Sequence, residues 1–130
     1  MNQDRIAVVA EGHSYTYADL DRASRSVAGA LLGGAEDLAE TRVAFLIPPG
    51  FEYAAVQRGI WRAGAIAVPL AVSHPAPELE YVIRDASAKV VISGPAASGI
   101  LAPIAENCGS RFGISTGRQH PSGIISDCLG

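Results

Sequence analysis

The run Trp61-Arg62-Ala63-Gly64-Ala65-Ile66-Ala67-Val68-Pro69-Leu70 decides the fold. It reads as a helix end, a turn and a buried strand in immediate succession. Gly64 has no Cβ, so it can take the left-handed conformation that closes a helix. The stretch 65–68 is short and apolar, which suits a strand. Pro69 stops that strand, because proline has no N–H to give to a ladder. Upstream, the helix reaches back to Phe51. Within it Ala55, Gly59 and Ala63 recur every four residues, a flat stripe that lets the helix sit close on a sheet. Before it, Pro48-Pro49-Gly50 breaks the run Arg42-Val43-Ala44-Phe45-Leu46-Ile47, which has the length of a strand buried on both faces.

The same alternation continues downstream. Ser73-His74-Pro75-Ala76-Pro77 reads as a rigid loop, since both prolines fix φ and restrict their predecessors. Leu79, Val82, Ile83 and Ala86 define a third amphipathic helix, and Lys89-Val90-Val91-Ile92-Ser93 a third buried strand. Residues 97–107 read as a weaker helix interrupted by Gly99 and Pro103. Residues 111–114 read as a fourth short strand.

Towards the N-terminus, two β-prone runs at 5–10 and 13–17 flank Glu11-Gly12, a hairpin signal. Thr16 is placed as a helix N-cap, with Asp19 three residues on. Leu20, Ala23, Val27 and Leu31 follow at helical spacing, and Asp21 with Arg25 forms an i,i+4 pair. The spacing predicts a helix over 17–32, ended by Gly33-Gly34. Buried strands alternating with helices predict an α/β fold: an N-terminal β-hairpin, then a mostly parallel sheet with helices on both faces. Residues 1–114 form the α/β unit in this reading, and 115–130 an irregular tail rich in turn residues.

At 130 residues the chain has room for one core. Hydrophobic residues make up 48% and charged residues 18%, too apolar for a disordered chain and too mixed for a membrane one. The net charge of −3 leaves no basic excess to neutralise phosphates, so no nucleic-acid partner is expected. No apolar stretch approaches the roughly 20 residues of a membrane span. Cys108 and Cys128 make neither a CxxC pair nor a zinc spacing with histidine, and read as two free thiols. The polar start Met1-Asn2-Gln3-Asp4 lacks a signal pattern, so the expected location is cytoplasmic.

Much catalytic vocabulary is missing. Neither phosphate-cradling loop motif, G-x-G-x-x-G or G-x-x-x-x-G-K-[ST], occurs; nor does H-E-x-x-H. No catalytic or metal-binding residue is assigned. His13 at the hairpin turn reads as solvated, and His120 stands apart from both other histidines. His74 is the one weak ligand-binding candidate, because it follows a strand in a proline-fixed loop, and open α/β sheets bind ligands outside the carboxyl ends of their strands. Asp19, Asp21 and Asp85 are explained by capping or surface solvation. Glu78 and Glu80 suit the first turn of a helix. Trp61 reads as a packing residue.

Three segments in order resemble the adenylate-forming superfamily of acyl-CoA synthetases, luciferases and peptide-synthetase adenylation domains. They are Tyr15-Thr16-Tyr17-Ala18-Asp19-Leu20, the run 61–70 quoted above, and Leu79-Glu80-Tyr81-Val82-Ile83-Arg84-Asp85-Ala86. The resemblance covers about residues 4–95. The stretches 37–46 and 74–81 look most like the malonyl-CoA synthetase branch. The resemblance implies an N-terminal scaffold segment of an ATP-dependent acyl-CoA synthetase, a ligase of fatty-acid metabolism. Such an enzyme joins a carboxylate to AMP and then to CoA, and the full-length family implies ATP, Mg2+ and CoA. The family's phosphate loop with its lysine, its adenosine-binding pair and its C-terminal lysine match no residue here. Gly113-Ile114-Ser115-Thr116-Gly117 has hydroxyls and glycine but no following lysine. The expectation is therefore a truncated fragment, inactive alone, with no cofactor of its own and with apolar surface that promotes self-association. The alternative is a free-standing α/β module, one that binds a small ligand at the loops 48–50 and 70–75 or an interaction module.

Overall fold

Thr16 ends one element and opens the next. The structure is a computed structural model, described over residues 6–10, 13–33, 38–115 and 125–126, with side chains described over 15–33 and 38–115. Strands β1 (Ile6–Ala10) and β2 (His13–Thr16) pair antiparallel, with Ala10 opposite His13. Helix α1 (Tyr17–Leu32) follows directly. The Asp19 N–H donates to Thr16 Oγ1 at 3.1 Å, and the Thr16 N–H donates to Asp19 Oδ2 at 3.0 Å. This reciprocal box satisfies donors that would otherwise be left open at the helix start. Leu20, Ala23, Val27 and Leu31 are buried, as their spacing predicts, and Gly33 closes the helix.

The rest of the chain alternates: β3 (Arg42–Leu46), α2 (Phe51–Arg62), β4 (Ile66–Pro69), α3 (Ala76–Asp85), β5 (Val90–Ser93), a single 3-10 turn (Pro95–Ala97), α4 (Ser98–Cys108), β6 (Arg111–Ser115) and β7 (Ile125–Ser126). The sheet order is β4-β3-β5-β6-β7. The first four strands are parallel, and β7 runs antiparallel to β6. Strand alternation divides the core in two. Val43 and Phe45 of β3, with Val90 and Ile92 of β5, pack into the layer formed by α1 and α2. Ala44, Leu46 and Val91 pack on the other face against Leu79 and Ile83 of α3 and Leu101, Ile104 and Ala105 of α4. Helices on both faces of a mostly parallel sheet are thus observed.

Three helix-to-strand turns are built alike. At the end of α2, Gly64 has φ +78°; its N–H donates to Trp61 O, and the Ala65 N–H donates to Ile60 O, both at 3.0 Å. This is the Schellman arrangement, and it satisfies carbonyls the helix leaves open. Gly109 does the same after α4. After α3 the same pair of bonds forms around Ser87, which holds φ +54° despite its Cβ.

Several expectations change. The stretch 65–68 was expected to be a buried strand, yet β4 is the sheet edge and Ile66 is 40% exposed. Pro69 pairs within it, opposite Phe45. The Ile66 N–H donates to Thr41 O, just before β3, and the Leu70 N–H to Phe45 O within it, so by alternation position 69 points outward, where no donor is needed. Gly59, in the middle of the small-residue stripe, does not face the sheet. A Cβ on Gly59 would lie 2.4 Å from Val27 Cβ and 2.9 Å from Ser24 O, so Gly59 is where α2 meets α1. Pro75 and Pro77 do not prolong a loop. Pro75 is the N-cap of α3 and Pro77 lies in its first turn, where a missing N–H costs nothing. Helix α4 runs through Gly99 and Pro103 without interruption, held by the burial of Leu101, Ile104 and Ala105. Trp61 is 58% exposed, on the last turn of α2, and is not a core packing residue.

Candidate functional site at the carboxyl ends of the strands

Strands β3 and β5 lie side by side, and the chain leaves them in opposite directions. From β3 it returns through α2 on one face, and from β5 through α4 on the other. Such a switch point opens a crevice at the carboxyl ends of the strands, where open α/β sheets bind ligands. Here its walls come from Pro48-Pro49-Gly50 after β3 and Ser93-Gly94 at the end of β5. The Gly94 N–H donates to Leu46 O at 3.0 Å, which ties the two walls together. Ser93 is fully buried, and its hydroxyl donates to Gly94 O at 2.6 Å.

Glu52 stands in the first turn of α2. Its Oε2 accepts from the hydroxyl of fully buried Ser115, at 3.1 Å, across the end of β6. Aromatic rings pack around this turn. The Tyr15 and Phe51 centroids are 4.2 Å apart, and those of Phe45 and Tyr53 are 5.1 Å apart. The N-terminus of α2 opens at Gly50 without a side-chain cap. A bare helix N-terminus favours an anion, but Glu52 already brings negative charge to that turn. The loops leaving β3, β4 and β5 at 47–50, 70–75 and 94 contain no lysine or arginine.

His74 lies in the neighbouring loop after β4. Its N–H donates to Ala71 O at 3.1 Å, and Nε2 is 3.9 Å from Glu78 Oε2. The side chain is about half exposed and partners the helix that follows it. His13 is the first residue of β2, and His120 and Cys128 lie outside the described residues. Cys108, half-buried at the end of α4, is a free thiol. Asp19 serves the cap of α1. Asp21 pairs with Arg25 at 2.9 Å and also with Arg62 of α2. Glu80 pairs with Arg84 at 3.0 Å, and Asp85 is exposed. Residues 113–115 of the glycine–hydroxyl run lie in strand β6 and do not form a loop; Thr116 and Gly117 are outside the described residues. Among the described residues no three His, Cys, Asp or Glu side chains gather to hold a metal, and no helix is long and apolar enough to cross a membrane.

The meeting of Glu52 with Ser115 was not expected from sequence. Ser115 carries a local signal, since it shares the inward face of β6 with Gly113. Its partner, 63 residues earlier, carries none.

A family profile described as AMP-binding enzyme matches residues 1–117. A mitochondrial malonate–CoA ligase of Xenopus laevis is 35% identical over 130 residues, covering 95% of this chain and 22% of that protein. The malonate–CoA ligase of Arabidopsis thaliana is 32% identical over 123 residues, covering 84% of this chain and 20% of the relative. Among solved structures, apo MatB from Rhodopseudomonas palustris superposes with a TM-score of 0.78 at 27% identity, over 95% of this chain and 24% of that one. A benzoate CoA ligase from Burkholderia xenovorans LB400 reaches a TM-score of 0.76 at 21% identity, a likeness of fold alone. The chain spans about a fifth of the length of the curated relatives it matches.

Proposed function

The chain belongs to the AMP-binding enzyme family, and from that premise we propose that it is the N-terminal scaffold of an acid–CoA ligase whose chemistry lies in other parts of the protein. The whole enzyme would join a carboxylate to the AMP part of ATP, with Mg2+ and with release of pyrophosphate, and then pass the acyl group to the CoA thiol with release of AMP. Malonate is the acid this reading favours, because the relatives above are malonate–CoA ligases. The observation that carries the reading is the family match over residues 1–117 in a chain that spans about a fifth of its relatives.

The described residues do not fit ATP. The crevice carries the Glu52 carboxylate, and the loops leaving β3, β4 and β5 supply no lysine or arginine for a triphosphate. No catalytic step is therefore assigned to these residues, and the chain alone is inactive in this proposal. ATP–pyrophosphate exchange by the purified 130-residue chain tests it. No exchange above buffer is expected, and a rate comparable to that of a full-length ligase would overturn the proposal.

Self-association belongs to the same reading. Ile66 on the edge strand and Val72 just beyond it are 40% and 67% exposed. A clean monomer by light scattering at high concentration would remove that part. The proposed compartment is the cytoplasm, which cell fractionation checks.

A second reading, a small-ligand-binding module, is favoured by the switch point between β3 and β5. Reading the gene past codon 130 in all three frames separates the two. A Ser/Thr/Gly-rich loop with lysine supports the ligase scaffold, and unrelated sequence in every frame supports the module.

A further inference from the structure

We draw no further inference here: the strongest candidate, the open hollow of about 410 Å3 on the outer face of α3 lined by Ala76, Pro77, Glu80, Tyr81 and Arg84, is an unpartnered surface, and nothing in the structure shows what covers it.

Discussion

The two faces of the sheet are covered by different kinds of helix pair. On one face α1 and α2 interlock. Gly59 admits Val27 at a distance no side chain would allow, and Asp21 of α1 holds Arg62 of α2. On the other face α3 and α4 lie beside each other on the sheet. They are joined by Leu79, Ile83, Leu101 and Ile104 beneath, and by one bond from Arg84 to Asn107 O above. Helix α2 is therefore enclosed by both the sheet and a second helix, while the outer side of α3 faces solvent. Enclosure decides how far a site can relax when atoms are removed or added, and the cost of a substitution follows from it.

The largest effect should come from emptying the enclosed side. Ile60→Ala and Ile83→Ala delete the same atoms at two fully buried positions, one in each layer. Each should lose about 2–5 kcal/mol, with Ile60 nearer the upper end because its cavity cannot collapse from either side. Urea denaturation of both variants checks the order, and equal losses would break the contrast between the faces.

Adding atoms gives the next effect. Gly59→Ala places a Cβ inside Val27, and should cost about 1–3 kcal/mol through forced separation of the helices. Gly29→Ala on α1 has nothing within 4 Å of the new Cβ, and should instead gain roughly 0.5–1 kcal/mol from helix propensity. Opposite shifts in melting temperature are expected. Two shifts of the same sign would show that Gly59 is not the contact point between the helices.

The N-terminal box of α1 comes third. Thr16→Ala removes the hydroxyl that accepts from Asp19 N–H and should cost about 0.5–2 kcal/mol. Hydrogen exchange should rise first in the opening turn of α1. A uniform rise across the chain would mean that the cap supports the whole core.

The smallest effect lies on the open face. Ser87→Gly relieves a left-handed conformation that costs a side-chain-bearing residue roughly 1 kcal/mol, partly offset by the freer unfolded chain. A gain of a few tenths in thermal unfolding free energy is expected, and a loss would show that the Ser87 side chain contributes more than its strain removes.

Much of this contrast was legible in parts. The helix start at Thr16, the periodicity of α1 and the turn at Gly64 all rest on interactions within about one helical turn, and the sequence displays them directly. The layer a residue faces was legible in β3 and β5 only as an apolar run, because strands buried on both faces lose their alternation. Gly59 was visible as part of a stripe, but its partner was misjudged: a small residue advertises a close approach without saying to what. Pro103 reads as a break, because local propensity gives no weight to the apolar burial that carries α4 past it, and Pro75 and Pro77 read as loop although they suit the start of α3. At the candidate site, the loops 48–50 and 70–75 could be placed at strand ends from the order of elements alone. The Ser115–Glu52 bond could not, since nothing local marks either residue for the other.

Sequence by itself determined the family resemblance, the alternation of strands and helices, the parallel sheet and the caps at both ends of α1. Each depends on neighbours within a few residues, or on the right-handed crossover that any such alternation must take. Tertiary structure alone decided the order β4-β3-β5-β6, and with it which strand is the edge. It also decided that Gly59 serves a helix and that Glu52 closes over the end of β6. These depend on contacts between residues tens of positions apart. Such contacts form only once the competing burials of every element are resolved together.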